Sequence, residues 1–324
     1  MINPPLVSIS IPAYNHEKYV QECIQSIIDQ DWPRIELIVI DDGSTDSTWA
    51  RIQEMRRECE RRFERVVLET RPNKGCAATV RDLAALKHGE IRGGIASDDR
   101  YLPGAIANMA KVLVENDDVG LCVGTNILID SEGRRCYWDE RRNNVYDEAL
   151  AAYKTLDEFT SKYSGIDFNS AEFGKYATFR HCNYIPNGSL CKAHFLNHEI
   201  PYNPRALLED LWFHLQLSKH AKYRHIEEPT FCYRWHGANT AANRKRILEM
   251  EYATKLCERE LLMSTGDTEH MSIFGADFAY ERTVWEKQVG NFRFSIRDRR
   301  DFATRRWQFL AFGHAIPLTP AFKY

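Results

Sequence analysis

The sequence predicts an α/β fold, a mixed sheet flanked by helices, with a C-terminal helical extension. Three observations carry this. Runs rich in β-branched residues alternate with stretches whose apolar residues recur at helical spacing. The links between them are short, which favours parallel strands joined by right-handed crossovers. Beyond about residue 242 the strand pattern stops and long helical patterns take over.

Residues 6–12 end at Pro12 and read as a first buried strand. After a loop at Tyr14, Asn15 and His16, residues 17–31 place Tyr19, Val20, Cys23, Ile24, Ile27 and Ile28 on one helical face. A second strand over residues 35–40 closes on Asp41-Asp42-Gly43-Ser44-Thr45-Asp46, and residues 47–63 form a charged, arginine-rich helix. The third strand is 66–70, followed by Arg71-Pro72-Asn73-Lys74-Gly75 and a helix over 76–88. The fourth, 93–97, ends in the adjacent carboxylates Asp98 and Asp99.

A helix over 102–115 and strands at 119–126 and 127–130 come next, and a hairpin turn at Ser131-Glu132-Gly133 makes the sheet mixed. Residues 134–181 are less patterned, with helices expected at 145–153 and 156–163 and most aromatics assigned to the core. The loop from Tyr184 to Leu190 leads into a helix over 192–198. Glu209 and Asp210 open a strongly apolar helix, 222–226 is a strand, and helices follow at 244–263 and 274–289.

A chain of 324 residues can bury a substantial core. Its net charge of −3 gives no general attraction for nucleic acid. Nine cysteines without a Cys-x-x-Cys pair argue against a disulfide framework or zinc ribbon and fit a reducing compartment. With no leader pattern and no apolar run near the roughly 18 residues of a membrane span, the chain is expected in the cytoplasm or peripheral to its membrane face.

In an open α/β sheet, ligands collect beyond the carboxyl ends of the strands. Pro12-Ala13-Tyr14-Asn15, Asp41-Asp42-Gly43 and Ser97-Asp98-Asp99 should therefore line one crevice. Two buried carboxylates side by side need a cation, and a divalent metal with a diphosphate supplies one. Taken alone, Ser97-Asp98-Asp99 reads equally as a cap before the helix near Pro103, and Glu209-Asp210 as acidic residues favoured at a helix N-terminus.

As a set, Val7–Asn15, Glu36–Asp46, Asn73-Lys74-Gly75 and Ser97-Asp98-Asp99 resemble the nucleotide-binding half of family 2 inverting glycosyltransferases, which have the Rossmann-like GT-A fold. The resemblance implies a catalytic domain over residues 1–242, with a nucleotide-binding half at 1–101 and an acceptor half at 102–242, and a helical extension over 243–324. It implies that Pro12, Ala13, Tyr14, Asn15, Asp42, Lys74, Arg81, Ser97 and Asp98 contact the donor, with Asp42 accepting the N3 hydrogen of uracil. Asp99 becomes the ligand to Mn2+ or Mg2+. Tyr233-Arg234-Trp235-His236 resembles the family's Tyr-Arg-x-His segment, placing Arg234 near the diphosphate and His236 on the metal, and none of the other histidines is given such a part. Asp210 becomes the general base and Glu209 its helper.

The implied activity is sugar transfer from a nucleotide-sugar donor, a UDP-sugar, to a hydroxyl of a glycan or lipid-linked acceptor, in bacterial surface polysaccharide synthesis. A sugar nucleotidyltransferase would carry a glycine-rich phosphate loop where Pro12-Ala13-Tyr14-Asn15 stands, and a signalling or non-catalytic nucleotide-binding module has no use for Glu209-Asp210. The arginines and aromatics interleaved over 291–324 suggest either peripheral membrane contact or packing on the catalytic domain, and the helical tail suggests a homodimer surface.

Overall fold

β1 (Val7–Ala13) alternates Val7, Ile9 and Ile11 with Ser8 and Ser10, and both sets are buried, as befits a strand covered by helices on both faces. In the computed structural model the described residues are 3–180, 182–196, 203–237 and 239–274, with short segments at 295–296, 309–311 and 314–315. After β1 come α1 (Val20–Ile28), β2 (Ile35–Asp41), α2 (Thr48–Glu54), α3 (Arg56–Arg62), β3 (Arg65–Thr70), α4 (Cys76–Leu86) and β4 (Ile91–Gly94). β5 (Arg100–Tyr101), α5 (Ala105–Glu115), β6 (Val119–Ile129), a small hairpin of β7 (Tyr137–Trp138) and β8 (Asn144–Val145), α6 (Leu156–Ser164), β9 (Leu190–Lys192), α7 (Ala193–Leu196), α8 (Glu209–Leu217), β10 (Lys222–Arg234), α9 (Arg244–Thr265) and α10 (Thr268–Phe274) follow.

Eight strands form one sheet in the order β3-β2-β1-β4-β9-β6-β10-β5. β3, β2, β1 and β4 are parallel, as are β6 and β10, while β9 runs antiparallel to both β4 and β6. Two reversals restore direction, so β10 points the same way as β1 and β4. Glu36, fully buried in β2, is tolerated because it accepts from Ser8 Oγ, from Arg65 at 2.8 Å and from the His88 amide at 2.6 Å.

Several expected elements take another form. The long helix over 47–63 breaks at Met55 into α2 and α3. The strands expected at 119–126 and 127–130 are one continuous β6, and β10 runs unbroken through Pro229, where its register on β6 shifts because proline has no N–H to give. Of residues 145–153 only Glu148–Leu150 is helical, a single 3-10 turn: Trp138 O accepts from the Ala152 and Tyr153 amides at 2.8 and 3.0 Å, and this non-local pairing outcompetes a longer helix. The helix expected at 274–289 and most of 291–324 lie outside the described residues.

Two units divide the chain. One holds Met1–Lys175, Tyr184–Tyr202 and Gln216–Gly237, including the eight-stranded sheet; the other holds Tyr176–Asn183, Asn203–Leu215 and Ala238–Tyr324. The sequence places a boundary after residue 242, whereas here the start of α8 keeps company with α9. Thr254 Oγ1 of α9 accepts the Leu208 amide at 2.9 Å, and Glu258 of α9 accepts the Tyr176 hydroxyl at 2.7 Å. α9 is capped by Asn243, which accepts the Arg246 amide at 3.1 Å, and closed by Gly266 at φ 69°. All nine cysteines are free thiols; eight are buried, and Cys76 at the start of α4 is exposed. Among the described residues no helix is long and apolar enough to cross a membrane.

Candidate active site

Because β1, β4 and β10 point the same way, the loops that leave their carboxyl ends emerge at one edge of the sheet. His16 lies just beyond β1, Asp98 just beyond β4 and His236 just beyond β10. His236 Nε2 is 3.1 Å from Asp98 Oδ2, and His16 Nδ1 is 3.9 Å from Asp98 Oδ1. One ligand atom from each of the three falls within 4.8 Å of the others. The separations of 3.1 and 3.9 Å fit one divalent ion, whose ligands at bond lengths near 2.1 Å stand about 3 Å apart when adjacent and about 4.2 Å when opposite. Asp99 is not in this cluster: its Oδ1 accepts the Arg234 backbone amide at 2.8 Å.

The cluster is held from behind. Tyr19 stacks on His236, ring centroids 5.5 Å apart at 23°, and the Arg234 guanidinium lies over the Tyr19 ring, 4.8 Å from its centroid. Arg234 is 1% exposed. Its Nε donates to Asp98 O at 2.6 Å, its Nη1 to Asp130 O at 3.1 Å and Ser131 O at 3.4 Å, and its Nη2 to Glu22. Burial pushes the Asp98 carboxyl up, but the hydrogen bond from His236 and the nearby His16 outweigh it and leave Asp98 below the usual carboxylate range. Asp99 goes the other way, raised by burial and by the Asp98 charge. Burial lowers the His16 pKa, which favours the neutral imidazole that ligation needs.

On the nucleotide side, Asp42 is 4% exposed and accepts the Lys74 and Gly75 amides at 3.0 and 2.8 Å and Arg71 Nε at 3.2 Å. Arg71 also reaches Asp82 of α4 and its amide donates to Asp41 O at 3.1 Å, so the loop from Arg71 to Gly75 is tied to both α4 and the end of β2. Gly43 is required here: its φ is +73° and a Cβ would stand 2.7 Å from the Asn73 amide nitrogen. Tyr14 is 47% exposed beyond β1, Ala13 is buried with its carbonyl accepting the Asp42 amide at 2.9 Å, and Pro12 is half-buried. Asn15, at φ 52°, accepts the Thr45 amide at 2.8 Å. The side chains of Lys74 and Arg81 are solvent-exposed beside Asp82, and Ser97 is buried with its hydroxyl 2.8 Å from His16 Nδ1.

In the second unit, Glu209 and Asp210 form the first turn of α8. Asp210 accepts from Asn183 Nδ2 at 2.8 Å and from the Leu211 amide at 2.6 Å. The crowded surroundings and then the Glu209 charge push its pKa up to about 7. Its side chain is open to solvent, which tempers that push. A carboxylate titrating near neutrality and reachable from solvent is suited to take a proton.

Residues 8–172 match the family described as Glycosyl transferase family 2. The chain belongs to that family. A chondroitin synthase and a hyaluronan synthase of Pasteurella multocida are each 31% identical over 200 residues, covering 56% of this chain and 20% of theirs. A chondroitin synthase of Escherichia coli is 34% identical over 129 residues, 40% of this chain and 18% of its own. The chain thus spans about a fifth of the length of these relatives. Among solved structures, S. aureus TarS 1–349 in complex with UDP-GlcNAc aligns with TM-score 0.58 at 17% identity, covering 88% of this chain and 74% of that one. The mannosyltransferase PcManGT from Pyrobaculum calidifontis, in complex with GDP-Man and Mn2+, aligns at 0.53 and 14%, covering 90% and 81%. The sheet and its flanking helices are the GT-A fold of these glycosyltransferases.

Within this family 2 chain, sequence reasoning passed over three residues of the site. His16 read as loop, although its place directly beyond the first strand was the available signal. Tyr19 reads as apolar helix face in the sequence, and only the pairing of distant strands brings its ring to His236 and Arg234. Arg71 has no local sequence signal, since its partners Asp42 and Asp82 belong to separate elements.

Proposed function

We infer that this chain is an inverting glycosyltransferase that moves a sugar from a UDP-sugar to a hydroxyl of a glycan or lipid-linked glycan, at the cytoplasmic face where bacterial surface polysaccharides are assembled. One observation carries the reading: a cluster of metal-ligand groups, His16, Asp98 and His236, at the strand ends of a family 2 sheet. The synthase relatives support a glycan acceptor, and the nucleotide-sugar complexes of the structural neighbours support the donor class.

Tyr14 offers an exposed ring for the nucleoside, and Asp42, braced by Arg71 and the Lys74 and Gly75 amides, offers a carboxylate to accept the N3 hydrogen of uracil. Asp98 and His236 would hold a divalent cation, which when bound neutralises charge on the departing diphosphate. Arg234, buried among protein acceptors, positions the aspartate turn, and Asp99 secures that turn through the Arg234 amide. Asp210 takes the acceptor's proton as its oxygen attacks the anomeric carbon, and Glu209 keeps Asp210 basic by its charge. One displacement inverts the anomeric configuration.

The test is nucleotide release from UDP-, GDP-, TDP- and CDP-sugars with a short glycan acceptor, with and without a chelator. Chelator-sensitive UDP release, acceptor-dependent and yielding the opposite anomer, is expected. Release that is indifferent to chelation removes the cation from the mechanism, and preference for the CDP-sugar, whose cytosine has no N3 hydrogen, removes Asp42 from its role.

A further inference from the structure

We propose that His16 is a nitrogen ligand at the metal position, so that two imidazoles and one carboxylate make this a site for borderline first-row ions that rejects Mg2+. The inference rests on the functional reading above, because it concerns the same site. Each element of it comes from geometry. His16 Nδ1 lies 3.9 Å from Asp98 Oδ1, while His236 Nε2 lies 3.1 Å from Asp98 Oδ2, so the two rings approach opposite oxygens of one carboxylate. The rings stand 6.3 Å apart at 89°, close enough for both to reach an ion between them.

Neither ring is free to wander. His236 is stacked on Tyr19, and the edge of Tyr19 also meets His16, with centroids 5.9 Å apart. The Ser97 hydroxyl, 2.8 Å from His16 Nδ1, can donate to that nitrogen or turn away when an ion takes its place. His16 is anchored at its backbone, where its amide donates to Thr48 Oγ1 at 2.8 Å. Both imidazoles are therefore presented by fixed segments, the arrangement that second-layer contacts give to metal-binding histidines.

The ligand chemistry then sets the metal. Mg2+ binds oxygen, keeps most of its water and demands near-ideal octahedral geometry, so a site with two nitrogens in three protein ligands suits it poorly. Mn2+ accepts nitrogen and oxygen, and affinity at such a site rises from Mn2+ through Co2+ to Cu2+ along the usual order of divalent ions. This differs from the ligands that the sequence suggests, Asp99 with His236 as one imidazole.

Pulsed electron paramagnetic resonance on the full chain loaded with Mn2+ and UDP counts the coordinated imidazole nitrogens directly. Two are expected in the wild type and one in His16→Ala or His16→Gln, with the Mn2+ Kd raised about tenfold or more in both variants. Mg2+ in hundredfold excess should leave the Mn2+ signal in place, and Co2+ should displace it. A single imidazole in the wild type, or Mg2+ competing as well as Mn2+, overturns the inference and leaves the glycosyltransferase reading standing. No Mn2+ binding at all, with UDP-sugar turnover intact, overturns both this inference and the cation's part in that reading. Thermal unfolding of the two variants near the wild-type temperature guards against loss of fold.

Discussion

The Arg234 amide donates to Asp99 Oδ1 across 2.8 Å, joining segments 135 residues apart, while the same arginine's Nε takes the Asp98 carbonyl at 2.6 Å. Replacing Arg234 with Leu keeps the amide but strips donors from the carbonyls of Asp98, Asp130 and Ser131 and from Glu22. Chemical denaturation should show a loss of about 3 kcal/mol or more, since one member of a buried charged network has been removed. Arg234→Lys should recover only part of it, because one ammonium cannot serve acceptors in several directions. Unchanged stability with weakened UDP binding would instead turn Arg234 toward the diphosphate.

Asp98 and Asp99 are neighbours with different surroundings, and their amide variants should separate. Asp98→Asn is expected to weaken Mn2+-dependent UDP binding at least about tenfold, because a neutral amide is a poor ligand for a hard or borderline cation. Asp99→Asn keeps an oxygen for the Arg234 amide and should retain most of the metal dependence. Calorimetric titration of UDP with and without Mn2+ decides it, and the opposite ranking would return the ion to Asp99.

Asp210→Asn removes proton acceptance with little change of shape. Transfer should fall by about two to four orders of magnitude while donor binding stays near wild type. If donor affinity falls in step with turnover, Asp210 belongs to the nucleotide site.

The pH dependence follows from the same carboxyl. With its pKa raised to about 7, the ionised base accumulates as pH rises, so kcat/KM should climb through neutrality. Glu209→Gln removes the negative neighbour and should move that limb to lower pH. Stability runs in the opposite sense. A carboxyl of ordinary pKa about 3.9 when unfolded binds its proton more tightly in the folded chain, so stability declines as pH rises from there toward about 7. Asp210→Asn should therefore raise the Tm more at pH 8 than at pH 4. A rate profile flat between pH 5 and 8 would count against Asp210 as the base.

Much of this was legible in the chain. Val7, Ile9 and Ile11, and Ile35 to Ile40, announce buried strands through composition alone, and both strands form where expected. The polar strand ends at Tyr14, Asp42 and Asp98 were legible because parallel sheets bind ligands at that edge. What stayed hidden depends on pairing across the sheet. Nothing near His16 announces that the return of β10, more than two hundred residues later, brings His236 to the same carboxylate. Asp98 and Asp99 look equivalent in sequence for the same reason, and only the folded chain gives them different partners, the two histidines for Asp98 and the Arg234 amide for Asp99. Residues 145–153 looked helical because periodicity cannot register the Trp138 carbonyl that captures their end.

The burial of eight cysteines leaves Cys76 as the thiol open to solvent, directly after the Gly75 whose amide binds Asp42. The protein thus comes with its own attachment point for an optical reporter. A small maleimide dye should couple there with a stoichiometry near one, in native buffer and without engineering of other cysteines. Its emission would register whether the loop from Arg71 to Gly75 senses the base of an arriving nucleotide, a signal that is independent of turnover and readable in a stopped-flow cell.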